Sequence, residues 1–151
     1  MTIEKDINQY KFRNEFQKSV INLIYTFNWM NEKLDKIFER FDITQQQFNI
    51  LRILRGAGGG PLSTLQIRQR MLDRMSDTSR IVDRLIKKGL VKKNICKADR
   101  RLVDVIITAK GKRLLDKIDG TDEDMDAVLK NLSLAEAKNL NQLLDKLRNA
   151  G

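Results

Sequence analysis

Two groups of polar and charged side chains have the types and spacing needed to contact a nucleic acid. The first group lies on one predicted helix and comprises Ser76, Asp77, Ser79, Arg80, Arg84 and Lys88. The second lies at a predicted turn and comprises Lys97, Asp99, Arg100 and Arg101. A guanidinium can donate two hydrogen bonds to a guanine edge, and it is also attracted into a narrow minor groove. The two groups therefore predict a surface that binds a polyanion.

Position within the helix suggests a division of roles. Ser76, Asp77, Ser79 and Arg80 are closest to the helix start, where small side chains allow close approach to base edges. Arg84 and Lys88 are better placed for phosphates. The alternative is an ordinary solvated helix face. At the turn, Asp99 can hold an arginine extended, or it can simply form the turn and leave both arginines solvated.

The distribution of charge supports a single basic surface. The chain carries a net charge of +9, and residues 65–113 hold 15 basic and 5 acidic residues, a net charge of +10. The flanking segments are close to neutral or acidic. A focused basic segment points to a polyanionic partner at one surface. A basic face with no partner is the alternative.

Several function classes are disfavoured by what the sequence lacks. It has no histidine, which removes the commonest general base and most zinc sites, and its one cysteine, Cys96, cannot form an internal disulfide. We therefore expect no catalytic residues, no metal and no cofactor. The polar N-terminus and the absence of an 18-residue apolar run predict a cytoplasmic protein without a membrane partner. Lysines near Cys96 could activate its thiol, but a structural role is the simpler interpretation.

The order of predicted elements indicates the fold. Apolar residues at helical spacing predict a long helix over 8–41. Capping boxes at Thr44 and Ser63 predict two short helices, and Asp73 or Ser76 is expected to cap a fourth. The apolar stripe of that fourth helix is predicted to comprise Met75, Thr78, Ile81, Val82 and Leu85.

Gly89 is predicted to end this helix, and the pattern then changes. Residues 90–95 and 102–107 have the branched side chains of strands and predict a hairpin. Thr108 is expected to cap a further helix, with a kink at Gly120, and a third capping box at Ser133 opens a last one. The predicted fold class is mainly α with a small β-hairpin wing (α+β), in one domain of residues 1–151. Its helix-turn-helix and wing occupy residues 42–113.

Residues 79–91 and 99–108, followed by Gly111, resemble the recognition helix and wing of the MarR (multiple antibiotic resistance regulator) family of winged helix-turn-helix transcription factors. The resemblance implies a homodimer whose interlocking helical region corresponds to residues 8–41 and 114–151. It also implies that the recognition helix enters the major groove and the wing enters the minor groove. By resemblance, Asp99 is the wing aspartate and Arg101 is the groove-inserting arginine.

The resemblance further implies a repressor that binds a pseudo-palindromic operator in double-stranded DNA. It also implies release by a small aromatic or phenolic effector. The residues expected to line the effector pocket are Tyr25, Trp29, Met30, Phe48, Met71 and Met75, although side chains at this spacing also suit an ordinary core. The main alternative function is an architectural or partner-docking protein that uses the basic face without sequence preference. An enzyme acting on a polyanion is disfavoured by the missing histidine.

Overall fold

The computed structural model describes residues 1–95 and 103–149, which form a mainly helical chain with one small sheet. In chain order the elements are α1 (Ile3–Asp6), α2 (Glu15–Glu39), α3 (Gln45–Gly56), β1 (Leu62–Ser63), α4 (Thr64–Arg70), α5 (Thr78–Lys87), β2 (Val91–Ile95), β3 (Val103–Ile107), α6 (Ala109–Asp119), α7 (Asp122–Asp126), a 3-10 turn (Ala127–Leu129) and α8 (Leu134–Arg148). The predicted class, helix-turn-helix with a β-hairpin and flanking helices, is confirmed.

All three predicted capping boxes are present. At α3 the Thr44 hydroxyl accepts from the Gln47 amide at 3.1 Å, and the Gln47 side chain accepts from the Thr44 amide at 3.1 Å. Ser63 and Ser133 make the same reciprocal bonds at the starts of α4 and α8. Each box satisfies amide donors that a helix start otherwise leaves without partners. These local bonds fix where the three helices begin.

The prediction of a single helix over 8–41 is wrong at its N-terminal end. The long helix α2 begins at Glu15, because the Asn14 side chain caps it by accepting from the Gln17 amide at 2.9 Å. Asn8 has a φ of 52°, which is incompatible with a continuous helix. The short helix α1 is held against α2 by an ion pair between Glu4 and Lys18 at 2.5 Å. The hydrogen bond from Lys18 lowers the pKa of Glu4 to about 2.

The sheet contains a strand that the sequence pattern did not reveal. β2 and β3 form the predicted hairpin, antiparallel, with Val91 opposite Ile107 and Ile95 opposite Val103. The two-residue strand β1 pairs with the other edge of β3, with Leu62 opposite Val105. The strand order is therefore β1-β3-β2, and β1 ties the start of α4 to the wing. A strand of two residues is too short to show any periodicity.

The core lies where α3 meets α4, α5, α6 and the sheet. Its most completely buried side chains come from all of these elements: Ile50, Leu51, Leu54, Ile67, Val82, Leu85, Val91, Val105, Leu115 and Ile118. Helix α3 is thus the central element, and α4, α5, α6 and the sheet pack against it. By contrast, α8 has no buried residue, and Leu140, Leu143 and Leu147 are exposed on it.

The join between the wing and α6 depends on close backbone approach. Thr108 caps α6 as predicted, and its hydroxyl both accepts from the Gly111 amide at 3.1 Å and donates to the Gly89 carbonyl at 2.7 Å. A Cβ atom at Gly111 would lie 2.3 Å from the Leu90 carbonyl oxygen and 2.8 Å from Ile107. Only glycine therefore fits where α6 crosses the end of the hairpin.

We expect Gly111→Ala to lower the free energy of unfolding by about 1–3 kcal/mol, because the added methyl overlaps backbone and core atoms. Gly56→Ala is the matched control, since a Cβ there meets no atom within 4 Å. That substitution should leave stability unchanged or raise it by about 0.4–1 kcal/mol. Urea denaturation followed by circular dichroism measures both, and equal stabilities of the two variants would refute the close approach.

An ion pair joins the C-terminal ends of α3 and α6. The Arg55 guanidinium donates to both carboxylate oxygens of Asp119, at 2.6 and 3.1 Å. The hydrogen bond from Arg55 lowers the pKa of Asp119 below the ordinary value of an aspartate. The pair is more than a third exposed, so solvent screening limits its contribution.

The pKa of Asp119 is lower in the folded chain than in the unfolded chain, so its contribution to stability is complete above about pH 4 and decreases as the pH falls through the folded value. Wild type should exceed Asp119→Asn in stability by less than about 1 kcal/mol at pH 7. The difference should shrink as the pH falls through the lowered pKa of Asp119. Urea titrations at several pH values test this, with Asp126→Asn as the control for net charge. A difference that does not change with pH would contradict the assignment.

Candidate nucleic-acid interface

Helix α5 has one buried face, and this face determines where its polar side chains point. Thr78, Ile81, Val82 and Leu85 are buried, with Val82 and Leu85 completely inaccessible. With 3.6 residues per turn, the side chains between them must face outward. Ser79, Arg80, Asp83 and Arg84 are accordingly exposed, so the structure brings three of the predicted site residues, Ser79, Arg80 and Arg84, together on one outer face.

The start of α5 differs from the prediction in two respects. Its N-cap is Asp77, whose Oδ1 accepts from the Arg80 amide at 3.2 Å, and neither Asp73 nor Ser76 occupies that position. Met75 precedes the helix and is 93% exposed, so its assignment to the apolar stripe is wrong. The spacing suited a helical stripe, but the helix begins three residues later, at Thr78.

Lys88, predicted to contact phosphate, lies at the C-terminal end of α5. Its ammonium group donates to the Asp42 carbonyl and is 3.5 Å from the Asp42 carboxylate. Gly89 follows with a φ of 72°, which confirms the predicted helix stop. Lys88 thus ties the end of α5 to the connection between α2 and α3, at the opposite end of the helix from Ser79.

A basic strand lies beside α5. Lys92 and Lys93 are exposed on β2, and the Lys93 ammonium pairs with the Asp83 carboxylate at 2.7 Å. This contact links the outer face of the helix to the first strand of the hairpin. The predicted turn residues Lys97, Asp99, Arg100 and Arg101, and also Cys96, lie outside the residues that the structure describes.

A groove of about 410 Å³ opens between the starts of α4 and α5. Its walls are formed by Thr64, Leu65, Arg68, Ser76, Asp77, Thr78 and Ser79. Three of the residues predicted from the sequence, Ser76, Asp77 and Ser79, therefore share one concave surface. Thr78 is 3% exposed, and its hydroxyl finds no hydrogen-bond partner within the described part of the chain.

Three exposed arginines, Arg68, Arg70 and Arg74, were not among the predicted site residues. Arg68 lines the groove, and Arg70 and Arg74 are exposed on α4 and on the turn that follows it. The available signal was the basic excess of residues 65–113, which includes all three. The place of Arg68 in the groove depends on the packing of α4 against α5, which the local sequence pattern does not show.

The six residues expected to line an effector pocket are not gathered in one cavity of the chain. Tyr25 and Trp29 line a cavity of about 670 Å³ between the N-terminal segment and α2, together with Asn22 and Thr26. The other four lie elsewhere. Met71 is buried in the core, and the ring centroid of Phe48 is 4.5 Å from that of Phe38. Met30 is half-buried on α2, and Met75 is exposed.

Among residues 1–95 and 103–149, no cluster of three or more His, Cys, Asp or Glu side chains is arranged to hold a metal ion. No helix in this part of the chain combines the length and apolar character needed to span a bilayer.

The comparisons with known proteins agree on one family. The sequence model of the MarR family matches residues 43–103. The HTH-type transcriptional regulator PecS from Dickeya dadantii is 28% identical over 90 residues, which cover 59% of this chain and 54% of PecS. The chain thus spans about half the length of that curated relative.

Solved structures extend the likeness over most of the chain. A MarR transcription factor from Planctomyces limnophilus is 30% identical, with a TM-score of 0.69, and the match covers 89% of this chain and 98% of that one. A mutant MarR from E. coli, crystallised with operator DNA, has the same fold, with a TM-score of 0.79 at 23% identity over 91% of this chain and 99% of that one. On this evidence, the chain belongs to the MarR family of winged-helix transcription regulators.

Proposed function

We propose that the chain is a sequence-specific regulator that binds double-stranded DNA and acts as a dimeric repressor. The observation that carries the proposal is the outer face of α5, where Ser79, Arg80 and Arg84 are exposed beside the groove at the helix start. Helix α5 has ten residues, a length of roughly 15 Å. Such a helix fits a major groove about 12 Å wide.

In this proposal, the N-terminal half of α5 reads bases and its surroundings hold phosphates. Arg80 lies in the first turn of the helix and can reach a guanine edge with both arms of its guanidinium. Arg84 is one turn further along and contacts the backbone. Lys97, Asp99, Arg100 and Arg101 of the wing turn remain the proposed minor-groove contacts, with Asp99 orienting an arginine and Arg101 inserting.

Dimerisation is supported by apolar surface that one chain leaves uncovered. On α2, Phe16 is 82% exposed and Ile24 is 58% exposed, and on α8 Leu143 is 56% exposed. Exposed apolar side chains at helical spacing on two helices are typical of an association surface. We therefore assign residues 8–41 and 114–151 to the dimerisation region, and residues 42–113 to the DNA-binding lobe.

Two-fold symmetry determines the form of the DNA site. Two copies of α5 related by a two-fold axis would read two inverted half-sites, so the operator is a pseudo-palindrome. The half-site centres are expected about 10–10.5 base pairs apart. A small aromatic or phenolic effector is proposed to control binding, and the cavity that Tyr25 and Trp29 line supports this part of the proposal.

The test begins with DNA from immediately upstream of the chain's own gene and with a random-sequence selection. Fluorescence anisotropy then compares the preferred duplex with a scrambled duplex over a series of salt concentrations. We expect the preferred duplex to bind at least about 10³-fold more tightly. Equal binding to both duplexes with a steep salt dependence would overturn sequence-specific regulation and favour a non-specific architectural protein.

Arg80→Ala should relax the base preference at one position of each half-site, at a cost of about 1–3 kcal/mol on the preferred duplex. Arg84→Ala is the matched control on the same helix face. As a phosphate contact, it should weaken binding to all sequences alike and reduce the salt slope by about one. If Arg80→Ala also weakened every sequence equally, Arg80 would be a backbone contact and its proposed role would be wrong.

A further inference from the structure

The turn between α4 and α5 displays two large apolar side chains in solvent. Leu72 is 88% exposed and Met75 is 93% exposed. Their neighbours in the chain include Met71, which is buried in the core at 5% exposure. Covering the two side chains would release apolar surface from water, which is favourable in proportion to the area covered.

This turn is held in place by a set of hydrogen bonds. The Leu72 amide donates to Asn49 Oδ1 at 2.9 Å, and the Met75 amide donates to Asp73 Oδ1 at 2.9 Å. Asp73 Oδ2 accepts from the Gln46 side chain at 2.9 Å, and the Asp73 carbonyl accepts from the Ser76 hydroxyl at 2.8 Å. The backbone that carries Leu72 and Met75 is thus tied to α3. The two side chains project from a preorganised turn, which reduces the ordering cost of a contact.

The charge around the turn indicates what can cover it. Arg74 is exposed on the turn, and Arg68, Arg70 and Arg80 are exposed on the helices that flank it. Against the exposed carboxylates of Asp73 and Asp77, these four cations leave the surroundings of the turn with a net positive charge. A second copy of the chain would bring the same positive charge against the turn, which opposes association. A polyanion is attracted instead. Within double-stranded DNA, the apolar group that a protein can reach at a base edge is the 5-methyl group of thymine.

We propose that Leu72 and Met75 are specificity-determining residues that contact thymine methyl groups in the major groove. The inference rests on the proposed function, because it requires α5 to enter that groove. Met75 lies two residues before the N-cap Asp77, at the helix end whose residues contact base edges. A methionine side chain is unbranched and flexible, so it can adjust its conformation to contact a methyl group on the wall of the major groove.

The test removes the methyl group without changing any base-pair hydrogen bond. A duplex selected by the wild-type protein from a random library is resynthesised with each thymine replaced in turn by deoxyuridine. Wild type should lose about fourfold in affinity at one or two positions of each half-site, the loss expected for one buried methyl group. Met75→Gln or Leu72→Gln should bind the thymine duplex about fourfold more weakly and no longer distinguish uracil at those positions.

Arg74→Gln is the matched control, since Arg74 lies on the same turn and is exposed. It should weaken binding to thymine and uracil duplexes by the same factor. The inference is overturned if wild type binds every uracil duplex as tightly as the thymine duplex, or if both Gln variants keep the full uracil penalty. It is also overturned if either variant changes the mass in analytical ultracentrifugation, because a second copy would then cover the turn. Failure of the library to yield any preferred sequence would instead overturn the proposed function on which the inference rests.

Discussion

Burial of one face of α5 determines the direction of every polar side chain on that helix. Val82 and Leu85 are completely inaccessible, and Ile81 is 6% exposed. Rotating α5 about its axis to turn Arg80 inward would expose these side chains, at a cost of roughly 1.5–3 kcal/mol for each. The outward direction of Ser79, Arg80 and Arg84 is therefore a consequence of apolar packing against α3 and α4. No additional contact is needed to orient these side chains toward the proposed DNA.

The same packing must also hold α5 in register with the wing. Gly89 ends the helix with a positive φ, the Leu90 amide bonds the Leu85 carbonyl at 3.0 Å, and Val91 starts β2 one residue later. The Thr108 hydroxyl donates to the Gly89 carbonyl, and Gly111 lets α6 approach the Leu90 carbonyl. Asp83 and Lys93 add a link on the outer side. These contacts fix the position of the helix relative to the hairpin, which suits two elements that are proposed to contact one DNA site.

Much of this fold is predictable because its determinants are local. A hydroxyl at the N-cap and a Gln or Glu three residues on fix the starts of α3, α4 and α8, and helical spacing of apolar residues identifies the buried face of α5. The errors occur where competing local choices are equally good or where tertiary contacts decide. Because Asn14 caps α2, the long helix begins at Glu15 and not at residue 8 as predicted. Met75 fits the helical spacing of α5 but precedes its N-cap, Asp77. Other features depend on tertiary packing, namely the strand β1, the groove and the positions of Arg68 and Arg74. A short stretch of sequence therefore does not predict them.

Two groups of exposed apolar side chains lie in different physical settings. On α2 and α8 they recur at helical spacing along the helix. An extended apolar surface of this kind suits contact with the equivalent surface of a second copy. On the α4–α5 turn there are only two, Leu72 and Met75, and arginines flank them. The net positive charge around these two side chains opposes the approach of a second copy of the chain. Contact with DNA covers both the arginines and the two apolar side chains, so the proposed thymine contact fits the turn. The proposed dimer contact fits the apolar surfaces of α2 and α8.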